Sequence, residues 1–369
     1  MPLLPVLGHH DARQRLGQAV RADRLPQVLV LAGPAGVGRQ RLALWLAQRV
    51  FCERPGADDE PCGACRACRL VLDLAHPDLH WFVPIPRPKA GESDKMVDEA
   101  AETLATVMAE RRAQPLWSAA DGMASHGVAS VRLLQRRAAL TSVEGGRKIF
   151  LVGDAERLVP QESSQEAANA LLKLLEEPPA DTLFILTTTD VRRLLPTIRS
   201  RAVPLRLGRL GDAEVREFLT THAAPLRKTA LSAAEIDERV HAADGAIGVA
   251  LAGGEEAGGA QQAAAALLEA VLAGPGPRLE RALKQNPFAA RGDFSAMLDA
   301  LADTLGEAAR AAMGERARRP LPRALQEPRD PAALLDAIDR VAAAREAAAG
   351  NVNPQLLLAV LGQQLAEVL

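Results

Sequence analysis

A chain of 369 residues with 44 basic and 46 acidic side chains has a formal charge of −2. That balance excludes a globally basic nucleic-acid binder and leaves any DNA contact to a local patch or to a partner. The length predicts two to three domains. No apolar run approaches the roughly 18 residues of a membrane span, and no basic segment leads into a long apolar one, so a cytoplasmic protein without membrane contact is expected.

In chain order, residues 11–22 predict an amphipathic helix stopped at Pro26, with His9 and His10 as solvent-facing or capping residues. Val28–Ala32 predicts a buried strand. It runs into Gly33-Pro34-Ala35-Gly36-Val37-Gly38-Arg39-Gln40 and then a helix carrying Leu42, Leu44, Trp45, Leu46 and Val50. Strand, glycine-rich turn and helix make the frame of a phosphate-cradling loop, in which backbone N–H groups converge on an anion. A working loop ends in Lys followed by Ser or Thr, for the outer phosphates and for magnesium. Arg39 and Gln40 stand there instead, so Gly33, Gly36, Gly38 and Arg39 form a degenerate loop.

All four cysteines fall within 17 residues, as Cys52, Cys62, Cys65 and Cys68. The spacing C-x9-C-x2-C-x2-C is that of a metal knuckle and predicts a structural, fully ligated Zn²⁺. Two disulfides and an iron–sulfur cluster are the rival readings, and disulfides are uncommon in a cytosolic chain.

Leu79–Val83 predicts a second strand. Pro84, Pro86 and Pro88 then lead a polar stretch to about Ser125, with Met96, Val97, Leu104, Val107 and Met108 at partly helical spacing, which reads as a surface excursion. A helix follows, with Val131, Leu133, Leu134, Ala138 and Leu140 on its buried side. Ile149–Val152 is a further strand ending at Gly153-Asp154-Ala155-Glu156, and an acidic residue there is placed to hold magnesium beside a phosphate loop. Residues 166–179 predict a helix closed by two prolines, 182–189 a buried strand, 196–202 a short helix and 203–207 a last strand. Alternating strands and helices predict a doubly wound parallel sheet. From Gly211 onward strand signals vanish. Residues 211–252 predict a small helical unit, Gly253-Gly254 and Gly258-Gly259 a linker, and residues 261–369 a helical bundle broken near 274–277 and 318–322.

Several of these stretches together resemble the bacterial DNA polymerase III clamp-loader subunits, of the AAA+ group. The resemblance rests on the knuckle directly after the phosphate-loop helix, on Ala168-Asn169-Ala170-Leu171-Leu172-Lys173-Leu174-Leu175-Glu176-Glu177-Pro178-Pro179, on the threonine-rich strand end, and on Ser200-Arg201. It implies an AAA+ α/β domain over 1–210 with the zinc knuckle at 52–68. A helical lid over 211–258 and a C-terminal collar for oligomerisation over 259–369 would follow. It also implies that Arg201, with Ser200, is an arginine finger reaching the γ-phosphate held by a neighbouring subunit. The family follows this pair with cysteine, where this chain has Ala202.

In the family, motor subunits keep all nucleotide residues and one other member has lost them. This chain departs at Arg39-Gln40, at Ala155 where a glutamate would polarise water, and at Gly248 where a phosphate-sensing arginine would stand. The resemblance therefore implies a non-hydrolysing subunit of a hetero-pentameric ring, its own loop without ATP. Its partners would be ATPase motor subunits, a clamp-opening subunit and, through the complex, the sliding clamp and primed DNA. Two alternatives stand beside it: a weakly active ATPase in which Arg39 substitutes for lysine, and a zinc-knuckle DNA-binding module on a vestigial scaffold.

Overall fold

The computed structural model describes residues 6–88, 92–113, 124–144, 146–158, 166–223, 231–252, 254–286, 293–315, 317, 320–348 and 352–369. They form two compact units that divide between Leu251 and Ala252.

The first unit is built on five parallel strands, β1 (Val28–Ala32), β2 (Leu79–Phe82), β3 (Lys148–Val152), β4 (Thr182–Thr188) and β5 (Val203–Arg206), in the order β2-β3-β4-β1-β5. Every residue of β1, β3 and β4 is buried. That is why these strands read as continuous apolar runs: a parallel sheet is covered on both faces, so neither face is left for polar side chains. Val28 pairs with Phe184 and Leu29 with Val203, and β3 pairs Phe150 with Phe184. Phe82, Phe150 and Phe184 step across β2, β3 and β4 with ring centroids 6.4 and 5.4 Å apart. The position of β1, between β4 and β5, puts the glycine-rich turn beside the C-terminal ends of its neighbours.

Around the sheet lie α1 (His10–Arg21), α2 (Arg39–Phe51), α3 (Arg66–Leu72), α4 (Ser93–Ala113), α5 (Val128–Ala138), α6 (Glu166–Glu176) and α7 (Pro196–Arg199). α8 (Asp212–Phe218), α9 (Ala233–Ala243) and α10 (Ile247–Ala252) follow, and Val215, Phe218, Ile236, Val240 and Ala250 close a small apolar cluster of their own.

Three expectations need correction. The stretch after β2 is more than a surface excursion: α4 is 21 residues long and buries Val97, Ala100, Leu104 and Arg111. These recur at the spacing that puts apolar residues on one helix face, and Asp94 and Asp98 on another face bind Arg136 of α5 at 3.1 and 3.2 Å. Leu140 is 63% exposed because α5 ends at Ala138. Gly254, Gly258 and Gly259 lie inside a helix, α11 (Gly254–Leu272), rather than in a linker; glycine in a helix costs only about 1 kcal/mol, which an alanine-rich surrounding absorbs. Gly253 lies outside the described residues.

The second unit contains α11, α12 (Pro275–Leu283), α13 (Asp293–Ala312), α14 (Pro331–Ala347) and α15 (Pro354–Val368). Its core is Leu267, Leu268, Leu298, Leu301, Leu305, Leu334, Val341, Leu358, Leu361 and Leu365. α12 packs beside α15, and Leu279, Leu283, Leu356 and Val360 of these two helices remain exposed.

Candidate functional site

The phosphate loop is fastened to the sheet on both sides where it leaves β1. Gly33 N–H donates to Thr188 O at 3.2 Å, and Leu207 N–H donates to Ala32 O at 2.7 Å. Gly36 and Gly38 have φ of 78° and 98°, the left-handed region that lets the turn close before α2. Arg39 opens that helix but points back into the turn. One terminal nitrogen donates to the carbonyls of Gly33 and, at 2.5 Å, Pro34; the other lies 3.7 Å from Asp154 Oδ1. The side chain is only 8% exposed. Burial lowers its pKa, against the opposing charges of Glu156 and Asp154. Asp154 is held above the usual carboxylate range by burial and by Glu156, which Arg39, Arg157 and Arg111 counteract.

Gln40, at the magnesium-ligating position of a working loop, accepts a hydrogen bond from Arg111 of α4 through Oε1 at 3.2 Å. The Arg111 guanidinium lies over the Trp81 ring, 4.4 Å from its centroid, in a cation–π arrangement. Gly153, next to Asp154, faces both Gln40 and Trp81, and a Cβ there would meet Gln40 Nε2 at 2.9 Å. Ala155 is buried in the core. Glu156 turns toward β4, where its Oε1 accepts from Thr189 N–H at 3.1 Å and from Thr189 Oγ1 at 2.7 Å. Gly248, the third departure, brings backbone against backbone: its N–H donates to Gly36 O at 2.9 Å, and a Cβ on it would lie 2.9 Å from Gly36 Cα. Two carboxylates, Asp154 and Glu156, thus lie among three guanidiniums, those of Arg39, Arg111 and Arg157.

Three participants were not visible in the sequence. Arg111 stands at the end of the buried α4 stripe, where a charge reads as solvent-facing. His126 is buried and donates from Nε2 to Gly153 O at 2.7 Å; burial pushes its pKa down to about 4. His9 adopts φ 51° ahead of α1 and donates from Nε2 to Val37 O at 2.7 Å, so it fastens the loop rather than facing solvent.

Ser200 and Arg201 lie apart from this cluster in the chain, between α7 and β5. Ser200 Oγ donates to Thr197 O at 3.0 Å; Arg201 donates to Thr197 O at 2.9 Å and to Ser200 Oγ at 3.1 Å, and pairs with Glu176 of α6 at 2.5 Å. The Arg201 side chain is one-third exposed, and Ala202 packs against the core.

The cysteines converge as their spacing predicts. Their four Sγ atoms lie within 4.8 Å of one another, and those of Cys62 and Cys68 are 4.0 Å apart. A tetrahedral Zn²⁺ with bonds of about 2.3 Å sets sulfurs about 3.8 Å apart, whereas a disulfide requires about 2.05 Å. Backbone N–H groups of Cys62, Cys65 and Cys68 donate to the sulfurs of Cys52, Cys62 and Cys65 at 3.3, 3.3 and 3.4 Å. Those of Ala64 and Cys65 hold the Cys62 thiol down to about 6, while burial pushes Cys68 and Cys52 up. The donor set fits a four-thiolate metal. The intervening loop is tied to α1 and α2: Asp59 pairs with Arg49 at 3.0 Å, and Glu60 with Arg13 at 2.6 Å and with Trp45 Nε1 at 2.7 Å.

A glycine turn after an inner strand of a five-stranded parallel sheet, an acidic strand end beside it and a helical unit closing on the turn define a protein with an AAA+-like fold. A family model described as "DNA polymerase III, delta subunit" matches residues 8–211, more than half of the chain. DNA polymerase III subunit delta-prime of Pseudomonas aeruginosa is 34% identical over 190 residues, covering 52% of this chain and 45% of that protein. Its counterpart in Bacillus subtilis is 30% identical over 216 residues, covering 57% and 52%. DNA polymerase III subunit gamma/tau of Mycobacterium tuberculosis is 31% identical over 205 residues, covering 55% and 28%. The chain belongs to the delta-prime family of DNA polymerase III clamp-loader subunits, and the alignments span about half the length of these delta-prime relatives.

Proposed function

We propose that this chain is a non-hydrolysing clamp-loader subunit that lends Arg201 to the ATP site of a neighbouring subunit while a sliding clamp is placed on primed DNA. The observation that carries this reading is a loop occupied by its own side chains. Arg39 directs one terminal nitrogen to the carbonyls of Gly33 and Pro34 and the other toward Asp154, Gln40 is bound by Arg111, and Gly248 sits against Gly36. A phosphate entering this loop would have to displace a buried guanidinium from Asp154, and a magnesium ion would meet an amide instead of a hydroxyl. Identity alone does not separate delta-prime from gamma/tau relatives, at 30–34% against 31%; the filled loop is what favours the non-motor role.

Arg201 is suited to act in trans because its guanidinium is exposed and preset by Glu176, Thr197 and Ser200. In a dry interface such a group neutralises charge developing on a transferred phosphoryl group. Cys52, Cys62, Cys65 and Cys68 hold a structural Zn²⁺ that braces the 53–61 loop, the helical end of the first unit from residue 211 to Leu251 forms the lid, and the second unit from Ala252 onward forms the collar. The exposed Leu279, Leu283, Leu356 and Val360 supply apolar surface for assembly in the ring.

The test is Arg201→Ala in a complex reconstituted with motor and clamp-opening subunits. Assembly should be intact, while ATP hydrolysis falls and clamp loading falls further. Trans-acting arginines contribute about 10³ to 10⁵ in rate at one site, an effect diluted where several sites turn over. A silent Arg201→Ala, or micromolar binding of labelled ATP by the isolated wild-type chain that Arg39→Ala abolishes, would overturn the reading.

A further inference from the structure

We infer that Arg111 is a built-in cation standing where a phosphate loop holds its magnesium ion, so that helix α4 itself keeps the loop closed. This rests on the reading that the loop binds no nucleotide, and it gives the insert between β2 and α5 a specific task.

In a working loop, the side chain after the lysine and the carboxylate ending the third strand flank the metal. Those two positions are Gln40 and Asp154. Arg111 reaches both: it donates to Gln40 Oε1 at 3.2 Å, and it and Asp154 act on one another electrostatically. Its own position is fixed from two sides. Val97, Ala100 and Leu104 anchor the preceding turns of α4 in the core, and the Trp81 ring backs the guanidinium at 4.4 Å. Trp81 belongs to β2, the strand paired with β3, whose end carries Asp154. Asp154 and Glu156 already lie in the field of Arg39, Arg157 and Arg111, so their charge is met before any ion arrives, and of these three arginines it is Arg111 that also binds Gln40. A divalent ion could enter only by expelling the guanidinium of Arg111, a residue that is 5% exposed, which would leave a buried charge without its partners.

The experiment rebuilds the loop chemistry with and without the plug. The full-length wild type, R39K/Q40T and R39K/Q40T/R111M are titrated with a fluorescent ATP analogue, once in magnesium and once in EDTA. Methionine keeps the stem over Trp81 and removes the charge; R39K/Q40T/R111Q carries the same comparison if near-UV circular dichroism shows that the methionine variant has lost its tertiary packing. Wild type should not bind. R39K/Q40T, in which Arg111 keeps Trp81 and Asp154, should bind at least tenfold more weakly than the triple variant, and binding by the triple variant should fall at least tenfold in EDTA. Equal affinity of double and triple variants would overturn the inference, as would binding by the triple variant that ignores magnesium. Binding by the wild type would instead sink the proposed non-nucleotide role, a result distinct from either.

Discussion

Arg39→Ala separates a structural cation from a catalytic one. Arg39 lies 3.7 Å from Asp154, with side chains 8% and 17% exposed. At an effective dielectric near 20, unit charges at that separation attract by about 4 kcal/mol. Removing one partner of such a buried pair costs about 3 kcal/mol or somewhat more, because the other charge is left in place. The expected loss is therefore about 3 kcal/mol at pH 7, and Arg39→Lys, which keeps the charge but not the fork on Gly33 and Pro34, should lose about half as much. The pH dependence follows from Asp154. Its folded carboxyl already sits above the usual range, and losing Arg39 removes a group that holds it down. The folded variant then takes up a proton more readily than the unfolded chain, so the penalty is full above the raised folded pKa and fades as pH falls through it. Urea unfolding followed by tryptophan fluorescence at pH 7 and pH 4.5 measures both terms, Trp81 lying next to the cluster. Clamp loading by the reconstituted complex should be unchanged. A variant within 0.5 kcal/mol of wild type whose complex no longer hydrolyses ATP would refute the reasoning and make Arg39 a phosphate ligand.

His126 is buried neutral, its pKa pushed from 6.5 to about 4. Its contribution is complete above pH 6.5 and lost as pH falls toward 4, on the order of 3 kcal/mol, and His126→Gln should flatten the stability curve over that window in urea titrations at stepped pH. The chain purified without added metal should carry one zinc ion by elemental analysis, and Cys65→Ser should remove it and speed hydrogen exchange through residues 53–61; four titratable thiols without metal would defeat the assignment. Gly248→Ala forces a Cβ to 2.9 Å from Gly36 Cα, a backbone atom that cannot swing away, and should cost about 1–3 kcal/mol in the same unfolding assay.

The sheet was legible because burial on both faces writes an unbroken apolar run, and Val28–Ala32, Lys148–Val152 and Thr182–Thr188 are buried throughout. The knuckle was legible because paired thiolates two residues apart leave a spacing that packing alone does not produce. Arg201 came from the resemblance, since an exposed arginine after a four-residue helix has no local signature. The plug was hidden for a different reason. Arg111 continues the stripe of Val97, Ala100 and Leu104, but its partners Gln40, Trp81 and Asp154 are distant in sequence, and three early prolines pointed toward an irregular excursion. His126 left no trace at all, because its partner is a backbone carbonyl, and carbonyls do not vary with residue type.

The glycine frame, here without the lysine and hydroxyl of a working loop, has packing reasons of its own. A Cβ on Gly33 would lie 2.6 Å from Leu207 O, just past the end of β5, so a side chain there would push β5 off β1. Gly36 combines φ 78° with Val249 N at 3.2 Å and Gly248 Cα at 3.4 Å from where its Cβ would stand, so its bareness lets α10 rest on the loop. Gly38 has open space around it but φ 98° at the N-cap of α2, a conformation other residues adopt only under strain. Each glycine is therefore required by sheet, helix α10 or helix entry, so the fold alone accounts for the pattern. What distinguishes a working loop from this one is the direction of its cations. Arg39 and Arg111 are turned inward onto Asp154, Gln40 and two carbonyls, while the side chain of Arg201 stays one-third exposed beside Glu176.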